Sequence, residues 1–267
     1  MTLKGIHGND HQRRRCLVLL WHADRAGAQH ISLSVNKGDF IGIIGPSGAG
    51  KSTLAACLSG AVPHHYTGTF FGSVMVDVHD TCEVSLTDVS QIVGSVLQDI
   101  DTQMVASVVE DEILFGLENF GVPHDQIEQR VSETLETVGI SDLRDREIAT
   151  LSGGQKQKVA IAAILAMRPR VLVLDEPTAA LDPASSTLVF ETLREANRAL
   201  GITIVVVEQK VALLSEYCNR VLVLNHGEIA LQGEPHEVFG HTDELRAIGV
   251  DCPRVTRIFN SLEADGW

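Results

Sequence analysis

The segment Gly45-Pro46-Ser47-Gly48-Ala49-Gly50-Lys51-Ser52-Thr53 constrains the fold of this chain more than any other stretch. It fits GxxxxGK[ST], follows the apolar run Phe40–Ile44 and leads into the helical run Thr53–Leu58. Glycines let the backbone curl until consecutive amides point inward at phosphate oxygens, and the following helix adds its positive N-terminal end. In such a loop Lys51 reaches the β- and γ-phosphates, and the Ser52 hydroxyl ligates Mg²⁺. The alternative is a glycine-rich turn with an incidental lysine. A strand and a helix in the required places argue against it.

A phosphate loop of this kind needs a parallel sheet behind it, and the sequence supplies one. Phe40–Ile44, Val171–Leu174, Ile202–Val207 and Arg220–Leu224 are short apolar runs separated by helical stretches, the pattern of a mainly parallel sheet covered on both faces. Cys16–Leu20, Ile31–Val35 and Thr69–Val78 alternate more weakly and predict an antiparallel flank. Between Asp99 and Ala166 the character turns helical. Val108–Asn119 and Gln126–Val138 carry apolar residues at helical spacing, and Gly139 stands as a stop, so this section reads as an inserted subdomain. The predicted boundaries are one α/β domain over residues 1–240, with its helical part at about 99–166, and a short C-terminal appendage over 241–267.

Composition narrows the partners. With 35 acidic against 21 basic residues in 267, and a net charge of −14, binding nucleic acid by electrostatics is not the expected function. Five scattered cysteines without a CxxC pair fit a reducing compartment. His64-His65 sit in a loop signal without a metal-ligand spacing, and solvated loop histidines are the simpler reading. The N-terminal residues Met1–Arg15 are polar and show no secretory signal. No apolar run approaches the ~20 residues a membrane helix needs, so any link to a membrane runs through a partner.

The chemistry continues at Val171-Leu-Val-Leu-Asp175-Glu176, an apolar strand ending in two acids. Acids at that end share the edge of the sheet with the phosphate loop. Asp175 is placed to hold Mg²⁺, and Glu176 to polarise an attacking water. On its own, a strand ending in Asp-Glu can equally be an exposed loop start.

Leu151-Ser152-Gly153-Gly154-Gln155, about 20 residues ahead of Asp175 and just before the helical run Lys156–Ala166, completes a set that closely resembles the ABC ATPase family over about residues 16–240. The resemblance implies an α/β fold: a P-loop NTPase parallel-sheet core with an antiparallel β flank and an inserted α-helical subdomain. It also implies ATP and Mg²⁺ as ligands, and a head-to-tail dimer. In that dimer Ser152 and Gly154 of one subunit close over ATP held by the other, and small residues at a helix N-terminus suit that second anion site. Gln98 stands where the family's Q-loop glutamine touches Mg²⁺ and the attacking water. Leu181-Asp182 resembles the D-loop that crosses the dimer interface. Trp21 stands where an aromatic ring stacks on adenine, although a structural tryptophan at a strand end is the alternative.

A narrower resemblance links Val96-Leu-Gln98-Asp-Ile-Asp-Thr-Gln103-Met, Val109-Glu-Asp-Glu112-Ile-Leu-Phe115-Gly-Leu-Glu-Asn119 and Gly233-Glu-Pro-His-Glu-Val-Phe239 to the ATPases of energy-coupling-factor transporters, which import vitamins and cobalt or nickel ions. It implies a transmembrane partner docking near residues 98–119, and a peripheral position on the cytoplasmic face of the cell membrane. The paired ATPase is either a copy of this chain or a relative.

One position departs from the family. Gln209 stands where a switch histidine contacts the γ-phosphate and the catalytic acid. An amide can donate a hydrogen bond there, but it cannot carry a proton near neutral pH. Gln209 therefore predicts good ATP binding with slow turnover, and a tolerated substitution in an active site is the competing reading. Two other functions stay open. One is a soluble ABC ATPase of the cluster-assembly kind; the DNA-repair and translation kinds need a long coiled coil or two cassettes, and only about 100 residues separate the two motifs here. The other is a regulatory, hydrolysis-impaired subunit.

Overall fold

The computed structural model describes residues 15–20 (backbone only), 28, 30–66 and 70–254. Among the described residues ten strands form two sheets: β1 Arg15–Leu20, β2 Ile31–Asn36, β3 Phe40–Ile44, β4 Gly72–Val76, β5 His79–Asp80, β6 Val93–Val96, β7 Val171–Asp175, β8 Thr203–Val207, β9 Arg220–Asn225 and β10 Glu228–Gly233. The larger sheet has the order β10-β9-β3-β8-β7-β6, parallel throughout except for the antiparallel edge strand β10. The smaller is antiparallel, ordered β2-β1-β4-β5. The helices are α1 Lys51–Leu58, α2 Ala61–His64, α3 Leu86–Ser90, α4 Val109–Asn119, α5 His124–Val138, α6 Gly153–Leu165, α7 Pro183–Leu200, α8 Val211–Tyr217, α9 Pro235–Gly240 and α10 Thr242–Ala247.

Burial explains the strand patterns. β3 and β8 are buried at every position, as strands covered on both faces must be, whereas β2 alternates and faces the core with Ile31, Leu33 and Val35. Two apolar cores result. One packs α1 and the antiparallel sheet on one face of the large sheet, around Leu33, Leu54 and Leu58. The other packs the helical insert, α7 and α9 on the opposite face. There Phe190 is fully buried, stacked 6.1 Å from Phe40 and edge-on to Tyr217 at 5.5 Å. Side chains of that size contribute about 2–3 kcal/mol each when withdrawn from water.

Helix ends follow local chemistry. Ser152 caps α6 in a capping box with Gln155, so the helix begins at Gly153 rather than at the expected Lys156. Asp182 caps α7 with Pro183 in the first turn, and Gly139 and Gly201 end α5 and α7 in the left-handed conformation. β10 was not evident in the sequence, because its half-exposed residues Glu228–Gly233 form no apolar run. Beyond residue 240, Leu245, Val250 and Cys252 are buried in the same core as Val238 and Phe239. The expected strand Thr69–Val78 is realised as β4, Gly72–Val76; Thr69 lies outside the described residues, as do Val255, Ile258 and Leu262 of the tail.

Parallel pairing places the carboxyl ends of β3, β6, β7 and β8 along one edge. Each leads into a segment singled out in the sequence: the phosphate loop, Gln98, Asp175-Glu176 and Gln209. Ligands bind open α/β sheets along this edge.

Candidate functional site

The phosphate loop is shaped by contacts that only glycine allows. A Cβ on Gly45 would lie 2.2 Å from the Leu224 carbonyl oxygen at the end of β9, and Gly50 caps α1 at φ 97°. Lys51 is buried and folds back, its ammonium donating to the carbonyls of Gly45 (2.9 Å) and Pro46 (3.0 Å). These are neutral acceptors, which negatively charged phosphate oxygens would outcompete for the ammonium through direct charge attraction.

Asp175 closes β7 beside this loop. Burial pushes its carboxyl above the usual range, and the adjacent Glu176 charge adds to the rise, while a hydrogen bond from the Ser52 hydroxyl and the nearby Lys51 charge pull it down. Its Oδ1 is buried and has no hydrogen-bond partner among the described residues. An unsatisfied buried carboxylate oxygen beside a serine hydroxyl is the donor set a hard divalent cation prefers, so these residues fit Mg²⁺.

Glu176 follows in a left-handed conformation, φ 49°, which non-glycine residues rarely adopt. Its amide is fixed to the Val207 carbonyl at 2.9 Å. Both carboxylate oxygens already have donors: Gln209 Nε2 lies 2.6 Å from Oε1, and Gln98 Nε2 lies 3.3 Å from Oε2. The structure thus gathers Gln98, Glu176 and Gln209 into one cluster, next to Asp175. An acid so placed can orient a water and take its proton.

Ser152 and Gly154 stand at the start of α6. Cβ atoms on Gly153 and Gly154 would lie 3.1 Å from the Leu181 and Ser185 side chains respectively, so the signature packs on the segment that opens α7. Asp182 accepts hydrogen bonds from the amides of Ala184 and Ser185 and from the Ser185 hydroxyl. Those bonds hold its carboxyl below the usual range. Trp21 lies outside the described residues. Sequence reasoning missed Thr178, Glu208 and Lys210, which pack behind Gln209. An acid and a lysine directly after the fully buried β8 were the available signal.

The ABC transporter family matches residues 28–179. A putative ABC transporter ATP-binding protein of Pyrococcus horikoshii is 42% identical over 89% of this chain and 84% of its own length. The energy-coupling factor transporter ATP-binding protein EcfA1 of Clostridium perfringens is 38% identical over 91% of this chain and 85% of its own. The solved structure of CbiO1 from Clostridium perfringens, described as part of the ABC transporter complex cbiONQ, covers 93% of this chain and 99% of its own, with a TM-score of 0.78 and 31% identity. With its phosphate loop, paired acids and signature on this fold, the chain belongs to the ABC transporter family of ATP-binding proteins. It is an ABC-type ATPase, and within the family it resembles the energy-coupling factor ATPases.

Proposed function

We propose that this chain is the ATP-hydrolysing subunit of an energy-coupling-factor importer of vitamins or metal ions, working head-to-tail with a second ABC ATPase subunit. The observation that carries this reading is the cluster Gln98–Glu176–Gln209 beside Lys51, Ser52 and Asp175 on one sheet edge. Loop amides of Gly45–Thr53 and the Lys51 ammonium bind the phosphates. Ser52, Asp175 and Gln98 would hold Mg²⁺, which would supply charge neutralisation for the phosphates. Glu176 orients the attacking water and takes its proton. Gln209 donates its amide toward the γ-phosphate, and Trp21 stacks on adenine. Ser152, Gly154 and Asp182 act across the pair, on the nucleotide of the partner.

A docking face supports the membrane partner. Leu97, Val105 and Phe115 are each more than half exposed, as are Tyr66, Phe71, Val78 and Leu188 elsewhere, and these three fall in or beside the segment 98–119. Phe115 lies on α4, and hydrogen bonds brace the segment that carries Leu97 and Val105. Buried Glu112 accepts from the amides of Val105 (2.9 Å) and Ala106 (2.7 Å), and Gln103 bridges the Leu97 amide and the Ser95 carbonyl. No helix among the described residues is long and apolar enough to cross a membrane. On this reading the chain sits peripherally, on the cytoplasmic face, and docks its membrane partner through residues 98–119. Residues 1–240 form the ATPase domain, with 241–267 as its appendage. Gln209 favours one variant of the reading, in which this subunit binds ATP well, turns it over slowly and is paired with a histidine-bearing ATPase.

Sedimentation in Mg-ATP tests the shared site. Glu176→Gln should hold ATP and pair, alone or with its partner ATPase. Gly154→Asp should abolish pairing while monomer ATP affinity stays within twofold. Loss of ATP binding by the Gly154→Asp monomer would show that the signature serves its own loop, contradicting the head-to-tail arrangement.

A further inference from the structure

Two charged side chains that take no part in the chemistry above are packed directly behind Gln209. Glu208 is 2% exposed. Its carboxylate accepts from the Thr178 hydroxyl (2.5 Å) and from the backbone amides of Gln209 (2.8 Å) and Lys210 (3.2 Å). The Lys210 ammonium donates to the carbonyls of Thr178 (2.7 Å) and Leu181 (2.9 Å) and to the Ser186 hydroxyl (2.7 Å). Three donors meet three acceptors, so the ammonium is saturated. Thr178 is fully buried and is gripped at both ends, its hydroxyl by Glu208 and its carbonyl by Lys210.

Charges withdrawn from water are costly unless every bond is made, and here they are made to backbone groups and to the Thr178 and Ser186 hydroxyls rather than to each other. That choice fixes positions. One end of the network holds the amide of Gln209, whose side chain reaches Glu176. The other holds the segment Thr178–Ser186, on which the signature glycines pack. We propose that Glu208 and Lys210 are positioning residues that lock Gln209 and the Thr178–Ser186 segment into one unit, so that the Gln209 amide is presented to the γ-phosphate and moves only when that segment moves. The proposal rests on the ATPase reading above. It adds the two residues that transmit a displacement at the segment opening α7 to the group facing the terminal phosphate.

The test is nucleotide discrimination by the full chain with Mg²⁺, comparing ADP with a slowly hydrolysed ATP analogue by calorimetry. ADP has no γ-phosphate, so its affinity should stay within twofold of wild type in Lys210→Met and in Glu208→Gln. Preference for the triphosphate should fall about tenfold in each, matching Gln209→Ala, the scale of one hydrogen bond to a charged group. Lys210→Met combined with Gln209→Ala should be no worse than either alone, because both act through one contact. Glu208→Gln keeps one acceptor oxygen for the two amides and turns an NH2 donor toward the Thr178 hydroxyl, so it removes the charge at nearly constant shape and carries the test if Lys210→Met fails to fold. Affinities for both nucleotides falling together, an unchanged preference, or additive losses would overturn the proposal in favour of a purely structural role. A wild-type chain that binds ADP without preferring the triphosphate overturns it too. A chain that binds neither nucleotide overturns the ATPase reading with it.

Discussion

Replacing Gln209 with histidine should accelerate ATP hydrolysis about tenfold while leaving KM for ATP within twofold. In the resting site both oxygens of Glu176 are occupied, Oε1 by the Gln209 amide at 2.6 Å and Oε2 by Gln98 at 3.3 Å. The short bond must be released before Glu176 can take a water proton. A net hydrogen bond to a charged acceptor contributes about 1.5–3 kcal/mol, and solvent at this open site favours the low end. Release of about 1.4 kcal/mol corresponds to a tenfold change in rate. A histidine near its ordinary pKa of about 6.5 is mostly neutral at pH 7.5, and it can also carry a proton to the departing phosphate, which an amide cannot. Steady-state phosphate release from pH 6 to 9 reads both effects, kcat for the rate and a new titration near pH 6.5 for the proton. KM holds because Lys51 and the loop amides are unchanged. Equal kcat values with parallel pH profiles would refute the claim that Gln209 limits turnover.

The other predictions probe the loop, the metal acid and the core. Asp175→Asn should leave the nucleotide-free protein as stable or more stable, while Mg²⁺-dependent hydrolysis falls about 100-fold or more, read by calorimetry and phosphate release. The sign follows from burial: the folded carboxyl titrates above the unfolded one, so stability falls as pH rises through that interval, and the loss persists at neutral pH. Gly45→Ala should cost about 1–3 kcal/mol in a urea titration and weaken ATP binding, since its Cβ would lie 2.2 Å from the Leu224 carbonyl oxygen. Cys57, pushed up to about 12 by burial and then by nearby Cys82, and Cys82, pushed up to about 11 by burial and by Asp80, should resist iodoacetamide at pH 8 in the folded chain. Buried Cys218 should behave likewise, and peptide mapping after denaturation would show all three labelling.

Much of the site was legible because its chemistry is local in sequence. Gly45–Thr53 carries its strand, loop and helix within a short span, and Asp175-Glu176 ends a short apolar run that reads as a buried strand in the company of the other motifs. β10 was not legible, since an edge strand half in solvent needs no apolar pattern. Helix starts were misjudged where caps decide them: Ser152 begins α6 by its own side chain, not by the hydrophobic period that marks Lys156 onward. The Thr178–Glu208–Lys210 network was invisible for a different reason. It joins residues 30 positions apart, and only the parallel pairing of β7 with β8 brings their following loops together. Gln209 was visible as a departure from pattern, but its grip on Glu176 was not.

The central claim is that this ATPase works on a shared site attached to a membrane partner. Native mass measurement of the complex extracted from membranes in mild detergent, with ATP present, tests it most directly. The account predicts this chain with a second ABC ATPase subunit, two bound nucleotides and at least one multispanning protein, and it predicts that charged substitutions at Leu97 and Phe115 release the multispanning component alone. Recovery of the chain entirely in the soluble fraction, with no multispanning protein in any complex, would contradict it.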